Sequence, residues 1–372
     1  MSMRHVVPDA IARQPWRVIV PLTLLVLFGS TVLYSAAGGS LKPWALSHFL
    51  RYLVFLAMAL VLSFFRREHF KAVAYPLYGV VMVLLVLVEL IGGIGGGSQR
   101  WLNLGFMTLQ PSELMKPVIV LVLARYYDDL PPSMTVNWRA LIPAAALLAL
   151  PAGLVIIQPD LGTAMAICFG AVIVVFLAGV PMSWFIAAGV AGSIAAPLSF
   201  FTLLHDYQRQ RVFVFLDPQS DPLGTGYHIL QSSIAIGSGG FFGKGFMNGT
   251  QSHLDYLPEA HTDFVFATMA EEWGMLGGLF VLGVFAILLR WGMTVARRAP
   301  DRFSQLLAAG MTATVFFYVA INLMMVMGLA PVVGIPLPFV SHGGSSMMTN
   351  MLCIGTIMAI ERWSRTGRRS LS

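Results

Sequence analysis

The chain has 372 residues, of which 57% are hydrophobic and only 11% are charged, and its mean hydropathy is +0.77. A soluble globular domain is typically about a quarter charged, so these values exclude water as the main solvent of the fold. The net charge of +6 does not indicate nucleic acid binding, because the cations punctuate apolar runs instead of clustering on one solvated face.

Apolar runs long enough to cross a bilayer recur along the chain, since a helix needs about 20 mostly apolar residues to do so. The N-terminus up to Trp16 is polar and has no signal-peptide core, so we expect the first run to remain in the mature protein. The predicted spans are 17–37, 44–65, 72–92, 112–127, 140–157, 161–179, 183–204, 262–290, 305–329 and 339–361. The sequence therefore predicts an all-α polytopic membrane protein of about ten transmembrane helices, with residues 1–372 in a single membrane domain.

The orientation of these spans follows from their flanking cations. Most Lys and Arg residues, including Arg66, Arg139 and Arg297, flank one set of span ends. The positive-inside rule therefore predicts that both termini are cytoplasmic, which requires an even number of spans. Residues 205–261 then form one large extracytoplasmic loop rich in glycine, aromatic residues and charge, and loops of this length are commonly functional. The segment 103–109, before the short fourth span, is expected to dip into the membrane as irregular backbone.

Ionisable residues in or at a span are functional candidates, because burying a charge in a membrane costs several kcal/mol. Glu113 and Lys116 are three residues apart, about 60° on a helical wheel, so they can pair along one helix face. A structural ion pair and a functional site both fit that spacing. The full set comprises Arg51, Glu89, Glu113, Lys116, Asp160, Asp263, Glu271 and Glu272.

Asp263 stands at the predicted start of the eighth span. Thr262 can cap this helix, which would put Asp263 in its first turn at the outer water–membrane boundary. One interpretation is a carboxylate that complements the helix dipole, and the other is a general base at the mouth of a cavity. Glu271 and Glu272, further along the same span, are interpreted as polar partners between helices.

Arg209, Arg211 and Lys244, with Arg100 from another loop, lie on the side that should be poor in cations. Such cations suit a phosphate-bearing lipid headgroup, because arginine makes bidentate phosphate contacts. Snorkelling of the side chains or folding of the loop is the alternative explanation.

The glycine-rich segment Gly239–Gly245 is similar to a phosphate loop. Ser238 stands where the first glycine should be, however, and Gly245 where Ser or Thr should be, so the motif fails. The histidines show no ligand spacing and both cysteines lie in apolar runs, so the sequence indicates no metal site. No cofactor is identified, and a requirement for a divalent cation stays open.

Several stretches resemble the SEDS family (shape, elongation, division, sporulation), and its elongation branch more than its division branch. They extend in order over nearly the whole chain. The matching segments are Gln99–Leu102, Gln110–Pro117, Gln158–Thr163, Gly226–Ser232, Ala235–Lys244, Leu257–Glu272 and Gly334–Ser346. One departure is His342, where the family usually has tyrosine before the glycine pair.

The resemblance implies a ten-span fold and a peptidoglycan glycosyltransferase that polymerises lipid II. It also implies a class B penicillin-binding protein and other membrane proteins of the elongation complex as partners. By the same resemblance, Asp263 corresponds to an aspartate that is essential in the family. The positions that correspond to functionally sensitive residues of the family are Trp101, Glu113, Lys116 and Arg209.

On this basis we predict Asp263 to be the catalytic base, on the periplasmic side of the bacterial cytoplasmic (inner) membrane. Arg209, Arg211, Lys244 and Trp101 are predicted to bind the diphosphate or sugar of the substrate. A flippase for the same lipid-linked precursor is one alternative. A flippase is expected to have charged residues distributed through the depth of the bilayer, whereas here they concentrate at the outer boundary, with Glu89 and Arg51 as the main exceptions. A scaffold without an essential carboxylate is another.

Overall fold

The computed structural model describes residues 15–91, 93–95, 98–103, 108–135, 137–202, 206–221, 224–254, 256–257 and 259–369. The helices are α1 (Trp16–Ala36), α2 (Ala45–Leu62), α3 (Arg67–Ile91), α4 (Pro111–Asp129), α5 (Trp138–Ile157), α6 (Leu161–Leu177), α7 (Met182–Thr202), α8 (Asp206–Leu216), α9 (Thr225–Gly239), α10 (Thr250–His253), α11 (Val265–Arg298), α12 (Arg302–Val326) and α13 (Gly344–Arg369). Between α3 and α4, an antiparallel sheet contains β1 (Gly93–Gly95), β2 (Ser98–Asn103) and β3 (Thr108–Leu109), in that order. Single 3-10 turns lie at Pro132–Met134 and Pro218–Ser220.

A helix overlaps each of the ten predicted spans, namely α1 to α7 and α11 to α13. Among the described residues, six of these helices are long and apolar enough to cross a membrane by length and composition alone, and α6 and the Met182–Ala195 part of α7 are shorter apolar segments. The prediction of a helical polytopic membrane protein is confirmed, with the small sheet between α3 and α4 as an addition to the predicted all-α fold. Helix α4 is more polar, but it is almost completely buried against α3, α6, α12 and α13, so protein surrounds its charges instead of lipid.

The region 205–261, predicted as a loop, is largely helical where it is described. Helix α9 packs along α11 and buries Ile229, Ser232 and Ala235, which recur at helical spacing. The Ser232 hydroxyl donates to the carbonyl of Val326 at 2.7 Å, which fastens α9 to the end of α12. Likewise, the irregular backbone expected at 103–109 is strand at both ends, while residues 104–107 lie outside the described ranges.

Helix α11 is interrupted at Gly274, which has a left-handed φ of 62°. The segment Gly239–Gly245 packs against this break, and the amide of Lys244 donates to the carbonyl of Glu271 at 2.9 Å. A Cβ at Gly243 would lie 2.1 Å from a backbone oxygen of α11, so only glycine allows this approach. The glycines that resemble a phosphate loop therefore serve backbone packing against an interrupted helix.

Candidate active site

Asp263 lies in the turn that precedes α11, two residues before the helix begins at Val265. The predicted N-cap at Thr262 is wrong, because the Thr262 hydroxyl donates to the Glu259 carboxylate at 2.8 Å instead of capping the helix. The amide of Phe264 closes the turn on the carbonyl of Glu259 at 3.3 Å. The half-buried Asp263 nevertheless stays beside the N-terminus of α11, where the helix dipole favours an anion.

Asn322 of α12 fixes the backbone on both sides of this carboxylate. Its side chain is fully buried, and its Nδ2 donates to the carbonyl of Asp263 at 2.9 Å and to that of Ile335 at 2.8 Å. The adjacent Gly334 has a φ of 71°, and a Cβ there would lie 3.4 Å from Oδ2 of Asp263. We call this arrangement of Asn322, Asp263, Gly334 and Ile335 the Asn322 clamp. The sequence analysis does not single out Asn322. A side-chain amide within an apolar span nevertheless indicates a hydrogen bond to another helix or loop, and this feature could have identified it.

Glu113 and Lys116 form a buried ion pair, with Lys116 Nζ 2.6 Å from Glu113 Oε1 and the Lys116 side chain 0% exposed. Tyr318 of α12 completes a triad, because Lys116 Nζ also donates to its hydroxyl at 2.7 Å and that hydroxyl donates to Glu113. Tyr318 lies four residues before Asn322, about one turn or 6 Å along the axis. Helix α12 therefore connects the buried triad to the clamp at Asp263.

Aromatic and cationic side chains line the other side of the turn. The ring of His261 stacks on Trp44, with centroids 4.1 Å apart and planes 10° apart. The amide of His342 donates to the carbonyl of His261 at 2.9 Å. Nε2 of His342 lies 3.0 Å from Arg51 Nη1 and 3.0 Å from the Ser47 hydroxyl. Because a guanidinium can only donate, His342 accepts here and directs Arg51 towards this cluster.

Lys244, a predicted ligand of the diphosphate, is instead paired within the fold. Its Nζ lies 2.6 Å from Oε1 of Glu271, whose side chain is 0% exposed. Glu271 also accepts from the amide of Thr250 at 2.9 Å, and the neighbouring Glu272 accepts from the Ser35 hydroxyl. Both carboxylates therefore connect α11 to other segments, as interpreted from the sequence, and the charge of Lys244 balances one of them.

Trp101 and Arg100 lie on β2, which the described contacts connect to the start of α6. Arg100 Nε donates to the carbonyl of Gln158 at 3.1 Å, and Arg100 Nη1 lies 4.0 Å from Asp160. Asp160 caps α6 by accepting from the amide of Thr163 at 3.2 Å. Arg100 thus fixes the small sheet to α6, and no described contact joins it to Lys244.

Arg209 lies half-buried on α8, and Arg211 follows on the same helix. The side chain of Arg211 lies outside the described residues, so its role stays a prediction. Among the residues that the structure describes, there is no group of three or more His, Cys, Asp or Glu side chains that could hold a metal ion.

An apolar groove of about 530 Å³ lies beside α4, with walls from α2, α3, α12 and α13. Its lining includes Leu77 and Val81 of α3, Leu114 of α4 and Leu352 of α13. Leu114 follows Glu113 in sequence, but no residue of the buried triad lines the groove itself. Its size and apolar lining suit a hydrocarbon chain.

The family model FTSW_RODA_SPOVE, described as cell cycle protein, matches residues 15–366. The chain is 41% identical to peptidoglycan glycosyltransferase MrdB of Escherichia coli K12, over 98% of this chain and 96% of that protein. It is also similar to a chain of a peptidoglycan synthase complex that coordinates polymerization and crosslinking, with a TM-score of 0.79, 33% identity and coverage of 95% and 98%. The rod shape determining protein RodA of Thermus thermophilus matches with a TM-score of 0.71, 28% identity and the same coverage of both chains.

Proposed function

This chain belongs to the FTSW_RODA_SPOVE family and is a multi-pass membrane peptidoglycan glycosyltransferase of the elongation type, and from this premise we propose its substrate and the residues that act on it. The substrate is lipid II, a disaccharide peptide on a polyprenyl diphosphate, and the product is a glycan strand. Energy comes from the bond between the sugar and the diphosphate, so the reaction needs no nucleotide.

Asp263 is the general base. Its carboxylate takes the proton from the 4-hydroxyl of the acceptor's terminal N-acetylglucosamine, and that oxygen attacks the anomeric carbon of the donor N-acetylmuramic acid with inversion. The bond from this carbon to the diphosphate breaks, and polyprenyl diphosphate leaves. The observation that carries the proposal is the Asn322 clamp, which fixes the Asp263 backbone at 2.9 Å. A base held within reach of one hydroxyl removes much of the entropic barrier.

The leaving diphosphate needs cations near the membrane surface, because its negative charge develops as the bond breaks. Arg209 and Arg211 on α8 are proposed for this role, and Trp101 for contact with the sugar. Arg51 is added to them, since His342 directs it towards the segment that carries Asp263. Lys244 is less suited than the sequence suggests, because Glu271 already neutralises it at 2.6 Å.

The apolar groove beside α4 is proposed to hold a polyprenyl tail. A tail bound there, next to Leu114, would keep its headgroup at the outer end of α4, near the buried triad. Holding one of the two substrates in this way leaves only the other to be captured from the membrane, which lowers the entropic cost of the reaction.

The active site is proposed to face the periplasm. Asp263 lies at the opposite end of α11 from Arg297 and Arg298, and the positive-inside rule puts those arginines in the cytoplasm. The partner is proposed to be a class B penicillin-binding protein, because a similar chain acts within a peptidoglycan synthase complex that coordinates polymerization and crosslinking.

The test is polymerisation of lipid II by Asp263→Asn and Asp263→Ala variants, reconstituted with the partner. Loss of a general base should slow polymerisation by about a hundredfold or more. Glu89→Gln is the matched control: Glu89 is also a candidate by its place in a predicted span, but it is an exposed carboxylate at the outer end of α3 and has no role in the proposed reaction. Polymer formed at the wild-type rate by Asp263→Asn would refute the role.

Thermal melting of each variant separates a chemical defect from a folding defect. A scrambling assay with a fluorescent lipid precursor separates the enzyme from a flippase. If Asp263→Asn abolished scrambling but left polymerisation intact, Asp263 would belong to a transport pathway.

A further inference from the structure

A polar crevice of about 200 Å³ opens at the end of the molecule opposite Asp263, between α1, α11 and α13. Three arginines from three different helices line it, Arg17 of α1, Arg298 of α11 and Arg365 of α13. These helix ends are the ones that the positive-inside rule puts in the cytoplasm.

One carboxylate lines this crevice among the described residues, and it is already paired. Glu361 accepts from Trp291 Nε1 at 3.1 Å and from Arg365 Nη2 at 2.6 Å. Within the described ranges, no carboxylate forms an ion pair with Arg17 or Arg298. The crevice therefore has an excess of positive charge carried by two cations on adjacent helices.

The positive-inside rule alone does not explain this arrangement, as a neighbouring crevice of about 460 Å³ shows. Two of the three arginines that line it are engaged there: Arg67 forms an ion pair with Asp301 at 3.1 Å, and the guanidinium of Arg362 lies 3.8 Å from the ring centroid of Phe64. Those cations contribute to contacts within the fold, whereas Arg17 and Arg298 remain available to a ligand.

Apolar side chains continue from the arginines towards the bilayer centre. Val20 and Leu24, three and seven residues after Arg17, lie on the same face of α1 and are 49% and 44% exposed. On α11, Ile287 lies eleven residues before Arg298, near three full turns, and is 55% exposed. Helices α1 and α11 pack together, so a cationic crevice lies at the end of an apolar strip.

We propose that this crevice binds the phosphate of an anionic phospholipid from the cytoplasmic leaflet. Arg17 and Arg298 contact the phosphate, and one acyl chain lies along Val20 and Leu24. Arginine suits this role because its planar fork binds two phosphate oxygens at once, and basic pockets between membrane helices on this side bind such headgroups. Trp291 also lines the crevice, and tryptophan is enriched at the membrane–water interface. Free phosphate would share the headgroup chemistry but gain nothing from the apolar strip.

The test uses the full-length protein in detergent and native mass spectrometry with added phosphatidylglycerol, phosphatidylcholine or inorganic phosphate. We expect an Arg17→Gln/Arg298→Gln double variant to bind phosphatidylglycerol about thirtyfold more weakly than wild type. Arg290→Gln/Arg297→Gln is the matched control, because it removes two exposed arginines of α11 that do not line the crevice. This control should stay within about threefold of wild type, because arginines outside the crevice act on the headgroup only from a distance at which salt screens them.

Three outcomes of the lipid-binding measurements would overturn the proposal. These are undiminished phosphatidylglycerol binding by the double variant, an equal loss in the control pair, or equal binding of phosphatidylcholine by wild type. Inorganic phosphate that competes at the same concentration as the lipid would identify a free anion as the ligand, against the proposal. An Arg17→Lys/Arg298→Lys variant keeps both charges and should retain most of the binding, which separates lost charge from misfolding.

Discussion

Replacing Asn322 by alanine tests whether the clamp positions the general base. The substitution removes two hydrogen bonds, of 2.9 Å to the carbonyl of Asp263 and 2.8 Å to the carbonyl of Ile335. A buried acceptor left without its donor costs about 1–3 kcal/mol, and Ile335 is buried while Asp263 is half-buried. We therefore expect a loss of about 2–4 kcal/mol in stability. The turn before α11 can then shift, and a displacement of about 1 Å can slow a reaction by about a hundredfold.

The kinetic signature distinguishes positioning from mere destabilisation. Polymerisation rates measured over a range of lipid II concentrations should show a kcat lowered by about tenfold to a hundredfold with KM nearly unchanged. Asn350→Ala is the matched control. Asn350 is also fully buried within a helix, but its Nδ2 donates to the carbonyl of Ser346 at 2.8 Å, one turn earlier in α13.

Asn350→Ala should lower the melting temperature with little change in kcat. The positioning role is wrong if Asn322→Ala keeps the wild-type kcat. It is equally wrong if the two variants lose kcat in proportion to their loss of melting temperature.

Glu113→Gln should lower the melting temperature strongly, because it leaves Lys116 charged and buried, and losing one partner of a buried pair costs about 3–5 kcal/mol. A double variant, Glu113→Leu/Lys116→Leu, should have a higher melting temperature than Glu113→Gln, and an equal or lower melting temperature would contradict this explanation. Gly334→Ala should slow polymerisation more than Gly328→Ala. Both glycines have a left-handed φ, of 71° and 69°, but only a methyl group at Gly334 would lie 3.4 Å from Oδ2 of the proposed base. Equal polymerisation rates of the two variants would contradict this. Burial lowers the pKa of His261, so the folded state should lose stability as the pH falls below about 6.5, and His261→Gln should weaken that dependence in melting curves from about pH 8 to 5.

The helices were largely predictable from the sequence because a membrane span is a local property. About 20 apolar residues suffice to indicate one, and a helix overlaps every predicted span. The residue at which a helix starts is harder to predict, because it depends on individual hydrogen bonds. The Thr262 hydroxyl bonds to the Glu259 carboxylate instead of capping α11, and hydropathy carries no information about which of these two partners it takes. Helix α9 was missed because its buried face is short and alternates with small polar residues, a pattern that is also typical of loops.

The candidate site was predictable only in part. Glu113 and Lys116 could be paired from their spacing alone, and the family resemblance singled out Asp263. Tyr318 could not be predicted, because it contacts Glu113 across 205 residues of sequence, and Asn322 reaches Asp263 across 59. Contacts of this kind depend on how α4, α11 and α12 pack against one another, which no local pattern specifies.

The spacing of the Glu113–Lys116 pair also bears on how the protein enters the membrane. Tyr318, the third member of the triad, is synthesised 202 residues after Lys116. During that interval α4 must be accommodated without α12, and two unpaired charges would oppose its transfer into lipid. Because the counter-ion of Lys116 lies one turn away in the same helix, α4 can leave the translocation machinery with these two charges already paired and accept the tyrosine hydroxyl later.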